Sequence, residues 1–231
     1  TDQTLDFVVT DADGDTDEVT VTVNISKPEA PTFTGTVSVD EEGLADGTNP
    51  DATSETATWT APDGYTIVSV SDGKLGTVVK TGDTTLDYTL SDAITHPAGL
   101  GENTATGADS FEVTIMDGDG NTYTVKVDVD VTDDVPTISA DSLSKDVASG
   151  AEVTGRVDID YGADNEGGQK SLTVNGQKGT AAEDGKLSFD LENGTLVFDP
   201  ATGGYVFTAD ANVTTDQTLD FVVTDADGDT D

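Results

Sequence analysis

Three observations in the 231 residues predict an all-β chain of tandem sandwich modules. Apolar residues recur at every second position, as in Leu5, Phe7 and Val9 and again in Val19, Val21, Val23 and Ile25. That is the period of a strand with one buried face. No stretch sustains the 3.6-residue period of an amphipathic helix. Finally, TDQTLDFVVTDADGDTD at residues 1–17 returns letter for letter at 215–231, so the chain repeats in tandem.

Between these copies lies a diverged third, SFEVTIMDGDGNTYTVKVDVDV, in which Asp117, Asp119 and Asn121 take the places of Asp11, Asp13 and Asp15. The module is therefore a little over 100 residues long, and two divergent modules make one repeat of 214. Each acidic stretch sits between alternating runs: Phe111, Val113 and Ile115 precede the middle one and Val125, Val127, Val129 and Val131 follow it. The unit is strand, acidic hairpin loop, strand. YTIVSV, DYTLSD and GYVFTAD supply further short strands, with turns such as APDG, SDGK and DPATGG between them. In LSFDLENGTLVFD the pair Asn193-Gly194 predicts a hairpin on a type I′ turn, which needs positive φ at both central residues. About seven short strands per module fit a sandwich of the immunoglobulin or cadherin kind.

Boundaries fall at NISKPEAP, Asn24 to Pro31, and at DVTDDVP, Asp130 to Pro136. They divide the chain into the closing strand pair of a preceding module (1–27), a complete module (28–134) and a second module lacking its last strand (135–231). A chain that starts inside a strand and without Met reads as a piece of a longer protein. The strand missing from the second module would read like EVTVTVNI at Glu18 to Ile25. This predicts head-to-tail strand exchange, since an unpaired apolar edge invites strand addition.

Charge and composition exclude whole classes of function. With 47 acidic against nine basic side chains, a net charge of -38 and a pI near 4.1, the chain repels nucleic acid and anionic lipid. Without Cys there is no disulfide framework and no thiolate metal site. No run approaches the ~18 apolar residues of a membrane-spanning helix, so no direct membrane insertion is expected. Catalysis has little to stand on: His96 is the only His and Arg156 the only Arg, and the ITHPAG context of His96 reads as an exposed loop. The single Trp, Trp59, reads as core, although with Tyr65 it also fits a sugar-stacking platform.

The acidic loops ask for a cation. Two unit charges ~4 Å apart repel by about 1 kcal/mol in bulk water and several times that near a protein surface. Oxygens of Asp11, Asp13 and Asp15 can converge on one hard ion when Gly14 allows a sharp turn, and so can those of Asp225, Asp227 and Asp229. Asp117, Asp119 and Asn121 form a weaker version with fewer charges. Ca²⁺ accepts six to eight oxygens with loose geometry, whereas Mg²⁺ insists on an octahedron. The loops are not EF-hands: the twelfth position from Asp11 is Thr22, where a bidentate Glu is needed. The competing reading is a solvated Asp/Gly turn.

Asp130-Val-Thr132-Asp133-Asp134-Val-Pro136 resembles the cadherin linker D-x-N-D-N-x-P, with Thr132 and Asp134 in place of the two Asn. The resemblance implies that Asp130, Asp133 and Asp134 are inter-domain Ca²⁺ ligands, aided by Asp40-Glu41-Glu42 or Asp164-Asn165-Glu166. At the first boundary Lys27 and Pro28 stand where carboxylates would be. Taken together, VTDADGDTDEVTVTV, VDEEGLADGTNP, DDVPT and GTLVFDPATGGYVFTADANV resemble the repeats of giant bacterial RTX adhesins exported by type I secretion, including biofilm and ice-adhesion proteins. That likeness covers essentially the whole chain. It implies Ca²⁺-dependent immunoglobulin-like extender modules at the bacterial cell surface, with neighbouring repeats as partners and ligand-binding domains at the far end. A Ca²⁺-dependent sugar- or surface-binding module of the same adhesin is the alternative.

Overall fold

The computed structural model describes residues 3–24, 31–97, 101–163 and 170–231. The chain divides into two compact units, residues 1–33 and 34–231. The first holds one antiparallel hairpin, β1 (Gln3–Thr10) and β2 (Thr16–Val23). Its register sets Leu5 opposite Val21, Phe7 opposite Val19 and Val9 opposite Asp17. Directly opposed residues share a face, so Leu5, Phe7, Val19, Val21 and Val23 form one apolar surface. Phe7 is nevertheless 53% exposed and Val9 71%.

In the second unit, residues 34–132 form β3 (Thr34–Asp40), β4 (Thr56–Thr60), β5 (Thr66–Val70), β6 (Gly76–Lys80), β7 (Thr85–Leu90), β8 (Thr104–Met116) and β9 (Thr122–Thr132). They make two sheets, β3-β9-β8-β5 and β4-β7-β6. Seven strands divided in this way give the immunoglobulin arrangement. The alternating positions foreseen for the core, Phe111, Val113 and Ile115 on β8 and Val125 to Val131 on β9, are all fully buried. Across the sandwich Tyr88 stacks on Phe111, with ring centroids 5.7 Å apart and planes at 11°. Trp59 is buried as core, and Gly35 leaves room for its indole, since a Cβ there would collide with Nε1.

Strand β3 pairs with β9 in parallel, Asp40 opposite Thr132, while β8 pairs antiparallel with β9, Thr104 opposite Thr132. The register of β8 slips between Ala105 and Asp109. There Asp109 turns inward, 5% exposed, and accepts from the N–H groups of Lys74 (2.9 Å), Leu75 (2.9 Å) and Ser110 (2.8 Å) and from Tyr88 Oη (2.9 Å). Burial pushes the Asp109 carboxyl up, but these four donors together outweigh it and hold it below the ordinary carboxylate value. A carboxylate whose folded value is depressed stabilises above its unfolded value, and the contribution fades as pH falls through the folded one. Asp109→Asn should therefore cost about 1.5–3 kcal/mol near neutral pH. In urea melts that cost should shrink steadily below about pH 4.

Residues 137–224 form the second sandwich: β10 (Thr137–Ala140), β11 (Glu152–Asp160), β12 (Ser171–Val174), β13 (Gln177–Lys178), β14 (Thr180–Ala181), β15 (Leu187–Leu191), β16 (Gly194–Phe198), β17 (Gly204–Ala209) and β18 (Phe221–Thr224). The sheets are β10-β11-β17-β16-β15-β14 and β13-β12-β18. Val157, Val174, Phe189, Leu196, Phe198, Phe207 and Val223 fill the space between them. Beyond β12, the chain itself returns along β18: Thr224 bridges Thr230, and the Val223 N–H donates to the Asp231 carbonyl (2.9 Å).

The hairpin expected at Asn193-Gly194 forms, but its two loop residues are Glu192 and Asn193, with Gly194 opening β16 opposite Leu191. Gly194 sits at a close approach, since a Cβ there would strike the carbonyl oxygen of Thr208. Positive φ at both loop positions, the type I′ signature, occurs instead at Asn175 (52°) and Gly176 (73°), between β12 and β13.

Candidate metal centre

All three acidic loops fold into the same turn. In each, the first Asp gives its backbone N–H to the carbonyl four residues on: Asp11 to Asp15 (2.9 Å), Asp117 to Asn121 (3.0 Å) and Asp225 to Asp229 (3.1 Å). Its Oδ1 accepts N–H groups in return, from Asp13, Gly14 and Asp15 in the first loop and from Gly228 and Asp229 in the last. The glycine before the closing residue has φ of 102° at Gly14, 86° at Gly120 and 109° at Gly228, which a side chain would strain.

What differs is the surroundings. Asp11, Asp13 and Asp15 are exposed, with one carboxylate oxygen of each within 4.8 Å of the others. The Asp11 carboxyl is held below its ordinary value, chiefly by a hydrogen bond with Asp13 and then by the Asp15 N–H. At the second copy of this same sequence the direction reverses. Asp225 is 1% exposed and Asp229 2%. Burial first, then the Asp227 carboxylate beside it, push Asp225 up to about 6, against the Gly228 and Asp229 N–H donors. In the middle loop the Asp117 carboxylate is already occupied by Asn121 Nδ2 (3.0 Å) and Tyr123 Oη (3.0 Å), which together with backbone donors keep it low.

The buried loop does not stand alone. Asp133, at the end of the first sandwich, joins Asp227 and Asp229 of the second, with ligand oxygens within 4.8 Å of one another. The Asp229 carboxylate reaches across to accept from the Gly101 N–H (2.8 Å). Asp225 Oδ2, both oxygens of Asp227 and Asp229 Oδ2 are buried without a hydrogen-bond donor. Clustered carboxylate oxygens that protein donors leave unsatisfied fit a hard divalent cation, and this all-oxygen set suits Ca²⁺ better than Zn²⁺ or Cu²⁺.

The linker residues divide their labour. Only Asp133 enters the cluster. Asp134 accepts from the Thr48 N–H (2.8 Å), from Thr48 Oγ1 and from the Ala163 N–H (2.9 Å), so it ties the first sandwich to the second through protein donors. Asp130 accepts from Gly107 N (2.7 Å) at the register slip of β8. Of the helper loops, Glu41 comes beside Asp133, while residues 164–166 lie outside the described residues, as do Lys27 and Pro28.

His96 corrects the sequence reading. Expected in an exposed loop, it is 4% exposed, with Nε2 3.5 Å from Glu41 Oε1 and Nδ1 3.3 Å from Asn103 Oδ1. Burial lowers its imidazole below the ordinary value, against Asn103 and the Asp229 charge, which raise it. The register explains the gathering. Parallel pairing sets the end of β3 beside the end of β9, which delivers Glu41 to Asp133, and the start of β8 delivers Asn103, whose Nδ2 donates to Asp133 (2.7 Å). Around them Asp40 is pushed up, chiefly by burial and then by Glu42, Glu102 and Asp134. No local pattern in the sequence announces this neighbourhood, because it depends on one parallel strand pair.

No protein-family model matches the sequence, and no curated protein matches it. Among solved structures, the chain is similar to the crystal structure of Dpr2 Ig1-Ig2 in complex with DIP-Theta Ig1-Ig3, at 11% identity and a TM-score of 0.25, over 86% of this chain and 92% of that one. It is also similar to SGBP-B of the Bacteroides ovatus mixed-linkage glucan utilization locus, in complex with a mixed-linkage heptasaccharide. There the identity is 17% and the TM-score 0.20, over 98% of this chain and 49% of that one. Both likenesses are distant.

Proposed function

We propose that this chain is a non-catalytic spacer of a large bacterial cell-surface adhesin, stiffened by Ca²⁺ at the joint between successive β-sandwich modules. One observation carries the reading: Asp133 from the first sandwich meets Asp227 and Asp229 from the second, in a buried cluster with several carboxylate oxygens unsatisfied. An ion held by both partners removes their freedom to rotate about the linker. It also adds RT ln(1 + [Ca]/Kd) of stability, about 1.4 kcal/mol when the ion stands roughly tenfold above Kd. Extracellular modules bind Ca²⁺ near 10⁻⁴ to 10⁻³ M, so weak sites fill outside a cell and empty in its cytosol. The tandem repeat supports a spacer, which is needed many times over. The resemblance to adhesin repeats supplies the cell-surface setting and export by type I secretion.

Calorimetric titration of Ca²⁺ tests this directly. The expected result is binding that Asp133→Ala and Asp229→Ala each weaken at least tenfold, whereas Asp119→Ala leaves the tightest site intact. Heat signals unchanged in both variants would remove the joint from the metal reading. The sugar-binding alternative needs an accessible stacking ring, and Trp59 is buried. A glycan array on the same protein should stay blank with and without Ca²⁺.

A further inference from the structure

The single histidine is held with two carboxylates in a pocket of the first sandwich. Glu41 opens a 3₁₀ turn, Glu41–Gly43, directly after β3; Asp133 follows β9; His96 lies in the loop between β7 and β8. One ligand atom of each lies within 4.8 Å of the others, and all three residues are buried. The His96 and Glu41 side chains expose none of their surface.

Asn103 fixes which ring nitrogen carries the proton. Its Nδ2 donates to the Gly101 carbonyl (3.0 Å) and to Asp133 Oδ2 (2.7 Å), and because both groups only accept, the amide cannot be turned round. Its Oδ1 therefore faces His96 Nδ1 (3.3 Å), which must be the N–H. In the neutral ring Nε2 is then a bare lone pair. It stands 3.5 Å from Glu41 Oε1 and has no hydrogen-bond partner among the described residues. Two acceptors thus face each other in a dry site, which a cation between them would reconcile. The spacing suits one: ligands ~2.0–2.2 Å from Zn²⁺ at the tetrahedral angle stand about 3.4 Å apart. Outer contacts hold the set in place, as they do for metal ligands, with Asn103 on the ring and on Asp133 and the Ile94 N–H on Glu41 Oε1 (2.6 Å).

We propose that Glu41, His96 and Asp133 form a second metal site, for a borderline first-row dication of the Zn²⁺ type. One imidazole nitrogen beside two carboxylates favours such an ion, whereas Ca²⁺ takes oxygen ligands. Asp133 belongs to both clusters, so its carboxylate bridges the two sites. All three ligands come from the first sandwich and its linker, so the site does not depend on Ca²⁺ at the joint.

His96 is the only His, so nitrogen-15 spectra of the imidazole-labelled full chain show one ring and need no assignment. In tens of millimolar Ca²⁺, one equivalent of Zn²⁺ added to the chelator-washed protein should shift Nε2 and leave Nδ1 protonated. Co²⁺ in its place should give visible d–d absorption. His96→Gln, with its fold checked by circular dichroism, should weaken the tightest Zn²⁺ binding at least tenfold and leave Ca²⁺ affinity unchanged. Asp229→Ala should do the converse, and an Nε2 shift that survives in it separates this site from the one at the joint. Three results would overturn the proposal: Zn²⁺ binding elsewhere on the acidic surface with Nε2 unmoved, a ring protonated on both nitrogens that Zn²⁺ does not displace, or Ca²⁺ returning Nε2 to its metal-free position. The ring spectrum of the unmodified chain decides among these even if a variant fails to fold.

Discussion

Exchanging Asp229 for Asn should raise the melting temperature of the metal-free protein and lower it in tens of millimolar Ca²⁺. Without an ion, the Asp229 carboxylate lies within 4.8 Å of oxygens from Asp133 and Asp227. Unit charges ~4 Å apart repel by about 1 kcal/mol in water and about 4 kcal/mol at an effective dielectric of 20. Neutralising one member therefore gains about 1–2 kcal/mol, and the amide oxygen of Asn can still accept from Gly101. With Ca²⁺ about a hundredfold above Kd, the native protein gains about 2.7 kcal/mol, most of which the variant forfeits. The swing of about 4 kcal/mol corresponds to about 10 °C for a chain of this size. A purely structural Asp229 would shift the melt in one direction in both buffers, and that outcome would defeat the metal reading.

Truncating Phe111 to Ala should cost about 4 kcal/mol. The ring is fully buried, and it stacks on Tyr88, whose hydroxyl in turn holds Asp109 over the Lys74-Leu75 turn. Loss of the ring leaves a cavity and frees Tyr88 to move, so the cost extends to the carboxylate beneath it. Trp59, the single Trp, belongs to the same sandwich and reports on it alone, while circular dichroism reports on both. In urea the fluorescence midpoint should fall by about 2 M. The dichroism trace should split into two steps, the later one unmoved. Coincident transitions in the variant would mean that the two sandwiches melt as one body.

Much of the architecture was legible because alternation is a direct consequence of the pleat. Phe111, Val113, Ile115 and the valines of β9 read as core and are core. The acidic loops were legible as turns, since Asp at the first position and Gly at the fourth meet the geometry that their hydrogen bonds require. Legibility stopped where a property depends on what lies across the chain. Asp11 and Asp225 have identical neighbours in sequence and opposite shifts in acidity, because only one is buried. Asn-Gly occurs twice, yet only residues 175–176 adopt the left-handed turn, while Gly194 opens a strand at a place where a Cβ would strike Thr208. His96 lacked any local sign of burial; the parallel alignment of β3 with β9 puts Glu41 against it.

Asp134 differs from its neighbour Asp133 in relying on protein donors from both flanking sandwiches. It works as a rivet, with the carboxylate cluster as the proposed lock beside it. On the proposed Ca²⁺ reading, stripping divalent ions opens the lock but leaves the rivet, so the two bodies would swivel about a fixed point and not drift apart. Relocking would then require a search over only a few angles, and the rigidity of such a string would be quickly reversible with the salt of the surrounding water.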